Sequence, residues 1–187
     1  MEQSTEIAPR LIVVTGRPGS GKTTLAHALA RAIRCPAICR DEIKEGFVNT
    51  IGPLAQLSDD INRNVYDVFF DTITLLLSRG ITLVAEAAFQ HKNWAPKLEP
   101  LRAVARIRIV ICSIDPQIAR ARHIERGLAD PQRERFHDDA VVQAAREGRA
   151  LPIDVYDPPH LDLPSLTVDT SQGYQPSLDQ IISFSQS

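Results

Sequence analysis

A chain of 187 residues with 43% hydrophobic and 24% charged composition is sized and balanced for one soluble globular domain with a core of its own. Its formal net charge of -2 and pI of about 6.2 give no general basic field, which argues against nucleic acid as a partner and for small substrates, though a local basic cleft stays open. The polar start Met1 to Arg10 and the lack of a bilayer-length apolar run predict neither secretion nor a membrane partner, and Cys35, Cys39 and Cys112 read as buried thiols of a reducing cytoplasm.

The apolar run Leu11 to Thr15 predicts a first strand. Directly after it stands Gly16-Arg17-Pro18-Gly19-Ser20-Gly21-Lys22-Thr23, which matches the GxxxxGKT phosphate-binding pattern. Its glycines can take torsions closed to other residues and turn amide hydrogens inward, at the positive end of the helix that follows. Lys22 is expected to span the β- and γ-phosphates, and Thr23 to hold Mg²⁺ through its hydroxyl oxygen, with Thr24 a second hydroxyl nearby. ATP and Mg²⁺ are the expected ligands.

Leu25, Ala26, Leu29, Ala30 and Ile33 recur at helical spacing until Pro36, and Ala37 to Cys39 predicts a short second strand. A helix is expected from Asp41 through Phe47, then a loop at Gly52 and Pro53. Ser58, Asp59 and Asp60 look like the start of a long helix whose apolar stripe runs to Gly80. Ile81 to Ala85 reads as a parallel strand covered on both faces and ending at Glu86. Trp94 to Val104 is expected to be helical despite Pro96 and Pro100, and Ile107 to Ile114 to be the fourth strand, closed by Asp115 and Pro116. Gln117 to Arg126 predicts a basic helix, followed by a polar, movable stretch with Pro131, Arg133 and Arg135 and by a further helix at Asp138 to Gly148. Residues 150 to 164 carry four prolines and read as an extended connector before a fifth strand, Leu166 to Thr170, and a closing helix, Ser177 to Phe184.

The alternation predicts an α/β fold: a doubly wound, mostly parallel five-stranded sheet with helices on both faces and a small arginine-bearing lid at about 127–149, all within a single domain, 1–187. Ligands bind such sheets beyond the carboxyl ends of the strands, where the phosphate loop, Asp41, Glu86 and Asp115 fall. Asp41 reads as a base for an acceptor hydroxyl or as a helix N-cap. Glu86 reads as a Mg²⁺ or substrate ligand, or as a rim carboxylate paired with an arginine. Arg122 and Arg126 stand four apart on one helical face, either presenting two guanidinium groups to one ligand or forming a solvated basic face. His91 is an acceptor contact or an exposed loop histidine.

The phosphate loop, Cys39-Arg40-Asp41-Glu42-Ile43-Lys44, Val84-Ala85-Glu86 and Arg122-His123-Ile124-Glu125-Arg126-Gly127 together resemble the P-loop kinases related to polynucleotide 5'-hydroxyl kinases, chloramphenicol phosphotransferases and zeta toxins. The similarity covers nearly the whole chain. It implies that Asp41 is the catalytic base, that Lys44 helps hold the acceptor or the reaction centre, that Arg126 assists transfer from the lid, and that Arg122 contacts phosphates or nucleotide. The family commonly has aspartate where this chain has Glu86. Val168-Asp169-Thr170-Ser171 also resembles the family, where the following loop lies near adenine. Some members carry an arginine pair after the third strand, where this chain has Phe89, Gln90 and His91; Phe89 and His91 are placed with Glu86 and Lys44 among the acceptor contacts.

The expectation is an ATP-dependent phosphotransferase acting on a hydroxyl of a small molecule, a metabolite or an antibiotic such as an aminoglycoside. A polynucleotide 5'-hydroxyl kinase and a non-catalytic or toxin-like NTP-binding protein are the alternatives. Acceptor specificity is expected in Phe47 to Leu57, the start of the long helix, and Ala87 to Trp94.

Overall fold

The computed structural model describes residues 8–52, 60–137 and 139–187. Five strands, β1 (Arg10–Gly16), β2 (Ala37–Cys39), β3 (Leu83–Glu86), β4 (Arg106–Ser113) and β5 (Ser165–Asp169), form one sheet in the order β2-β3-β1-β4-β5. Every pairing is parallel, with Leu11 opposite Leu83 and Ile107, and Val14 opposite Glu86 and Val110. The order reverses at β1, so the crevice at the end of that strand is the switch point where such sheets bind ligands.

Because side chains alternate along β1, the strand feeds two cores. Leu11 and Val13 join Phe69, Ile73, Leu77, Trp94 and Leu98 on one face. Ile12 and Val14 join Leu25, Leu29, Val168 and Ile181 on the other. The first face is covered by α3 (Asp60–Ser78) and α4 (His91–Leu101), the second by α1 (Lys22–Ile33) and α7 (Leu178–Gln186). Residues Leu83 to Glu86 are all buried, as an apolar strand under two helical layers requires.

The remaining helices, α2 (Arg40–Ile51), α5 (Pro116–Ala129) and α6 (Ala140–Arg146), surround the carboxyl edge of the sheet, with a 3-10 turn at Pro131–Arg135. The polar stretch after Gly127 is thus partly ordered, capped by Asp130. The third strand begins two residues later than expected and includes Glu86 as its last paired residue. Ser58, Asp59, Pro53 and Asp138, read as element boundaries, lie outside the described residues, as does 53–57 of the expected specificity segment. No helix among the described residues is long and apolar enough to cross a membrane, and the three cysteines are free, Cys39 and Cys112 buried.

Candidate active site

The phosphate loop turns between β1 and α1 in a conformation that glycine makes possible. Gly19 has φ +82°, and a Cβ there would lie 2.0 Å from the Ala119 carbonyl oxygen of α5. Gly21, at φ 76°, caps α1 with no side-chain hydrogen bond, leaving the helix amides available to an anion. Ser20 Oγ is buried with no hydrogen-bond partner among the described residues. This cradle, with the Lys22 ammonium beside it, fits the phosphates of a nucleotide.

Glu86 is buried and meets both loop side chains. One carboxylate oxygen lies 3.6 Å from Lys22 Nζ, and the other accepts a 3.1 Å hydrogen bond from Thr23 Oγ1. Burial drives the Glu86 carboxyl above its usual range, with Asp41 adding to the push, while Lys22 and Thr23 hold it back. The partner of this acid is therefore the loop lysine, not a rim arginine. A hydroxyl and a carboxylate side by side are hard oxygen donors suited to Mg²⁺.

Asp41 lies in the first turn of α2, whose N-cap is Cys39, so it is not the capping residue. Burial pushes its carboxyl up, but the charges of Lys22, Arg40 and His137 outweigh that and hold it below the usual value. Arg40 Nη1 donates to Asp41 Oδ1 at 3.1 Å and Nη2 to Asn62 Oδ1 at 2.9 Å. Asp41 is thus ionised and oriented at neutral pH.

Asp41, Lys22, Arg17 and Pro18 line a cleft of about 480 Å³ together with buried Lys44. Arg126 and Arg133 line it too, and Arg126 stands in the fields of Arg133, Asp41 and Glu86. Arg122 does not line it. Its guanidinium donates instead to the carbonyls of Thr170 (3.0 Å) and Ser171 (2.6 Å), tying α5 to the loop after β5. The two arginines share a helix face but diverge, because each long side chain follows its own partners.

Two expected acceptor contacts also lie apart from the cleft. Phe89 packs into the aromatic cluster of Tyr66, Phe69, Phe70 and Trp94, which draws its ring toward the core. His91 stacks on His160 with centroids 3.5 Å apart, and its Nδ1 accepts from the His160 amide. Ala88 and Gln90 of the same segment line the cleft.

The main wall that sequence reasoning missed is the connector. Tyr156 reaches back to the end of β1, its hydroxyl 2.6 Å from Thr15 Oγ1 and 3.3 Å from the Phe89 carbonyl oxygen; burial pushes the phenol up to about 12. Thr15 also donates to Ala87 O at 2.8 Å and accepts from Trp94 Nε1 at 3.2 Å. Nothing in the local pattern around Tyr156 signals a contact 141 residues distant. Two histidine pairs were missed as well: His123 with Asp139 at 2.5 Å joins α5 to the start of α6, and His137 with Glu45 at 3.0 Å joins the lid segment to α2.

Comparison with known proteins agrees with this fold. The AAA domain family matches residues 11–152. A crystal structure of a candidate kinase from Chloroflexus aurantiacus is similar at 24% identity and TM-score 0.77, covering 96% of this chain and 98% of that one. An APS kinase of Mycobacterium tuberculosis, in complex with AMPPNP and APS, is similar at 18% identity and TM-score 0.64 over 96% and 99% of the two chains. A gluconokinase of Sinorhizobium meliloti is similar at 17% identity and TM-score 0.52 over 95% and 89%. At these identities the likenesses show the fold. No curated protein sequence matches. Because the family match runs from the phosphate loop through the lid, on an all-parallel sheet with the switch point at β1, the chain belongs to the AAA domain family and has a P-loop kinase-like fold.

Proposed function

We propose that the protein is a phosphotransferase that moves the γ-phosphate of ATP to a hydroxyl of a small molecule. The observation that carries this reading is the buried pair Lys22 and Glu86, joined by Thr23, with Lys22 lining the same cleft as an ionised Asp41. A protein that only bound nucleotide would have no need of the second carboxylate.

The loop amides and Lys22 hold the triphosphate, and Arg17 lies at the mouth of the same loop. Thr23 and Glu86 would hold Mg²⁺, which when bound neutralises charge on the phosphates. Asp41 accepts a hydrogen bond from the acceptor hydroxyl and takes its proton as the oxygen bonds to phosphorus. Lys44 holds the acceptor from the next turn of α2. Arg126 and Arg133, on the lid segment 127–149 and its edge, stabilise charge on the transferring group and exclude water when the lid closes. The modest volume of the cleft, about 480 Å³, and the acidic chain favour a small molecule over a polynucleotide.

The test is acceptor-dependent ADP release across a panel of hydroxylated metabolites. Asp41→Asn should bind ATP normally and lose about 10²–10⁴-fold in turnover, since the shape is kept and the proton acceptor is gone. Undiminished turnover in that variant would remove Asp41 from the mechanism.

A further inference from the structure

We propose that His27, Cys39 and Glu42 form a site for a thiophilic divalent cation of the Zn²⁺ class, separate from the Mg²⁺ position at Thr23 and Glu86. The proposal does not depend on the phosphotransferase reading.

Three elements bring these side chains together. His27 stands on α1 one turn after Thr23, Cys39 ends the edge strand β2, and Glu42 lies in the first turn of α2. Among the described residues this is the one set of three histidine, cysteine or acidic donors whose ligand atoms all lie within 4.8 Å of one another. His27 Nε2 is 2.6 Å from Glu42 Oε1 and 3.7 Å from Cys39 Sγ.

Hydrogen bonding does not use this arrangement fully. A single ring nitrogen either donates to the carboxylate or accepts from the thiol, and cannot do both. A cation resolves the conflict, because it takes a lone pair from each of the three atoms. The spacing suits it: ligand atoms about 2.0 to 2.3 Å from a tetrahedral ion stand about 3.3 to 3.6 Å from one another. The contact between His27 and Cys39 is already close to that value, and the contact between His27 and Glu42 needs to open by less than about 1 Å.

Charge and access agree. A thiolate, a carboxylate and a neutral imidazole balance a divalent ion, with the thiol proton leaving to solvent as sulfur binds. Burial and the charges of Glu86 and Glu42 keep the thiol protonated until an ion takes that place, and the same two acids favour a cation there. Cys39 is buried, whereas the side chains of His27 and Glu42 are 36% and 49% exposed, so the ion enters from their side and keeps a water as its fourth ligand. Sulfur and nitrogen donors select the Zn²⁺ class, while Mg²⁺ prefers the all-oxygen pair of Thr23 and Glu86. Once bound, the ion ties the start of α2, which carries Asp41, to α1, which carries Lys22 and Thr23.

The test uses the full chain, stripped of metal by a chelator and kept reduced by a phosphine, with Co²⁺ as the probe. We expect one Co²⁺ per chain, the near-ultraviolet band of a cobalt thiolate, and displacement by Zn²⁺ but not by excess Mg²⁺. Cys39→Ser should abolish the band and Cys35→Ser should leave it. His27→Gln and Glu42→Gln, at positions open to solvent where folding is not endangered, should each weaken Co²⁺ binding by at least about tenfold. Zn²⁺ should raise the Tm of the wild-type chain by several degrees and that of His27→Gln by less. No thiolate band with Co²⁺ in excess, a band that survives Cys39→Ser, or unchanged affinity in either His27→Gln or Glu42→Gln would overturn the site. None of these readouts involves ATP or an acceptor, so the kinase reading stands or falls separately.

Discussion

Lys22, at the start of α1, lines one side of the cleft and is tied to Glu86, at the end of β3, by a contact of 3.6 Å, with Thr23 hydrogen-bonded to the same carboxylate at 3.1 Å; Lys22 and Glu86 are buried. The other side is gathered from α2, the lid segment and a proline-rich connector, joined by polar contacts such as His137 with Glu45 and Tyr156 with Thr15. The first region is buried and leaves little room for change, since an unpaired charge there has no water to fall back on. The second is half exposed and built from contacts of modest strength, so its lining can vary while the sheet stays the same. One scaffold can thereby keep its nucleotide grip and exchange its acceptor.

The sharpest way to break the phosphate side is Gly19→Ala. A methyl group 2.0 Å from the Ala119 carbonyl, on a left-handed backbone, must push the loop off α5. We expect a destabilisation on the order of 2–4 kcal/mol, a drop of several degrees or more in Tm, and loss of measurable ATP binding by calorimetry. Normal affinity would show that the loop is more yielding than its packing implies.

Glu86→Gln tests the same region more gently. The amide keeps the shape but removes the charge that pairs with Lys22 and would hold Mg²⁺, so turnover should fall about a hundredfold and need more Mg²⁺ for half-maximal rate. A Mg²⁺ titration of the rate reads this directly.

On the acceptor side, Tyr156→Phe removes the hydroxyl that holds the connector to Thr15. The expected cost is about 1 kcal/mol, with acceptor KM raised several-fold and the KM for ATP unchanged. Equal effects on both constants would mean that the two regions are not separable in this way.

The smallest effect is a pH dependence of the lid. Burial pushes Asp139 up, but the contact with His123 and the amides of Val141 and Val142 outweigh it and bring the carboxyl from 3.8 to about 2. A carboxyl lowered on folding stabilises the fold above its unfolded pKa, and that contribution is lost as pH falls through the folded one. The contribution, discounted for solvent, is about 1 kcal/mol, complete above about pH 5 and gone only near pH 1. The Tm difference between the wild-type chain and Asp139→Asn should therefore shrink on acidification across that window.

From the sequence alone, the phosphate loop, the strand ends at Asp41 and Glu86, and the order of elements were legible, because each depends on residues close in the chain: glycines at fixed spacing, apolar runs and helical stripes. Whether Arg122 and Arg126 would meet one ligand, whether Phe89 would face the acceptor or the core, and that Tyr156 would close the cleft against β1 were decided only by the tertiary structure. Those outcomes depend on which partner a long or aromatic side chain finds among segments brought together by the sheet, and a contact such as Thr15 with Tyr156, 141 residues apart, leaves no periodic trace in the chain. Local spacing carries the chemistry of phosphate, whereas the shape and charge of the acceptor pocket arise from folding itself.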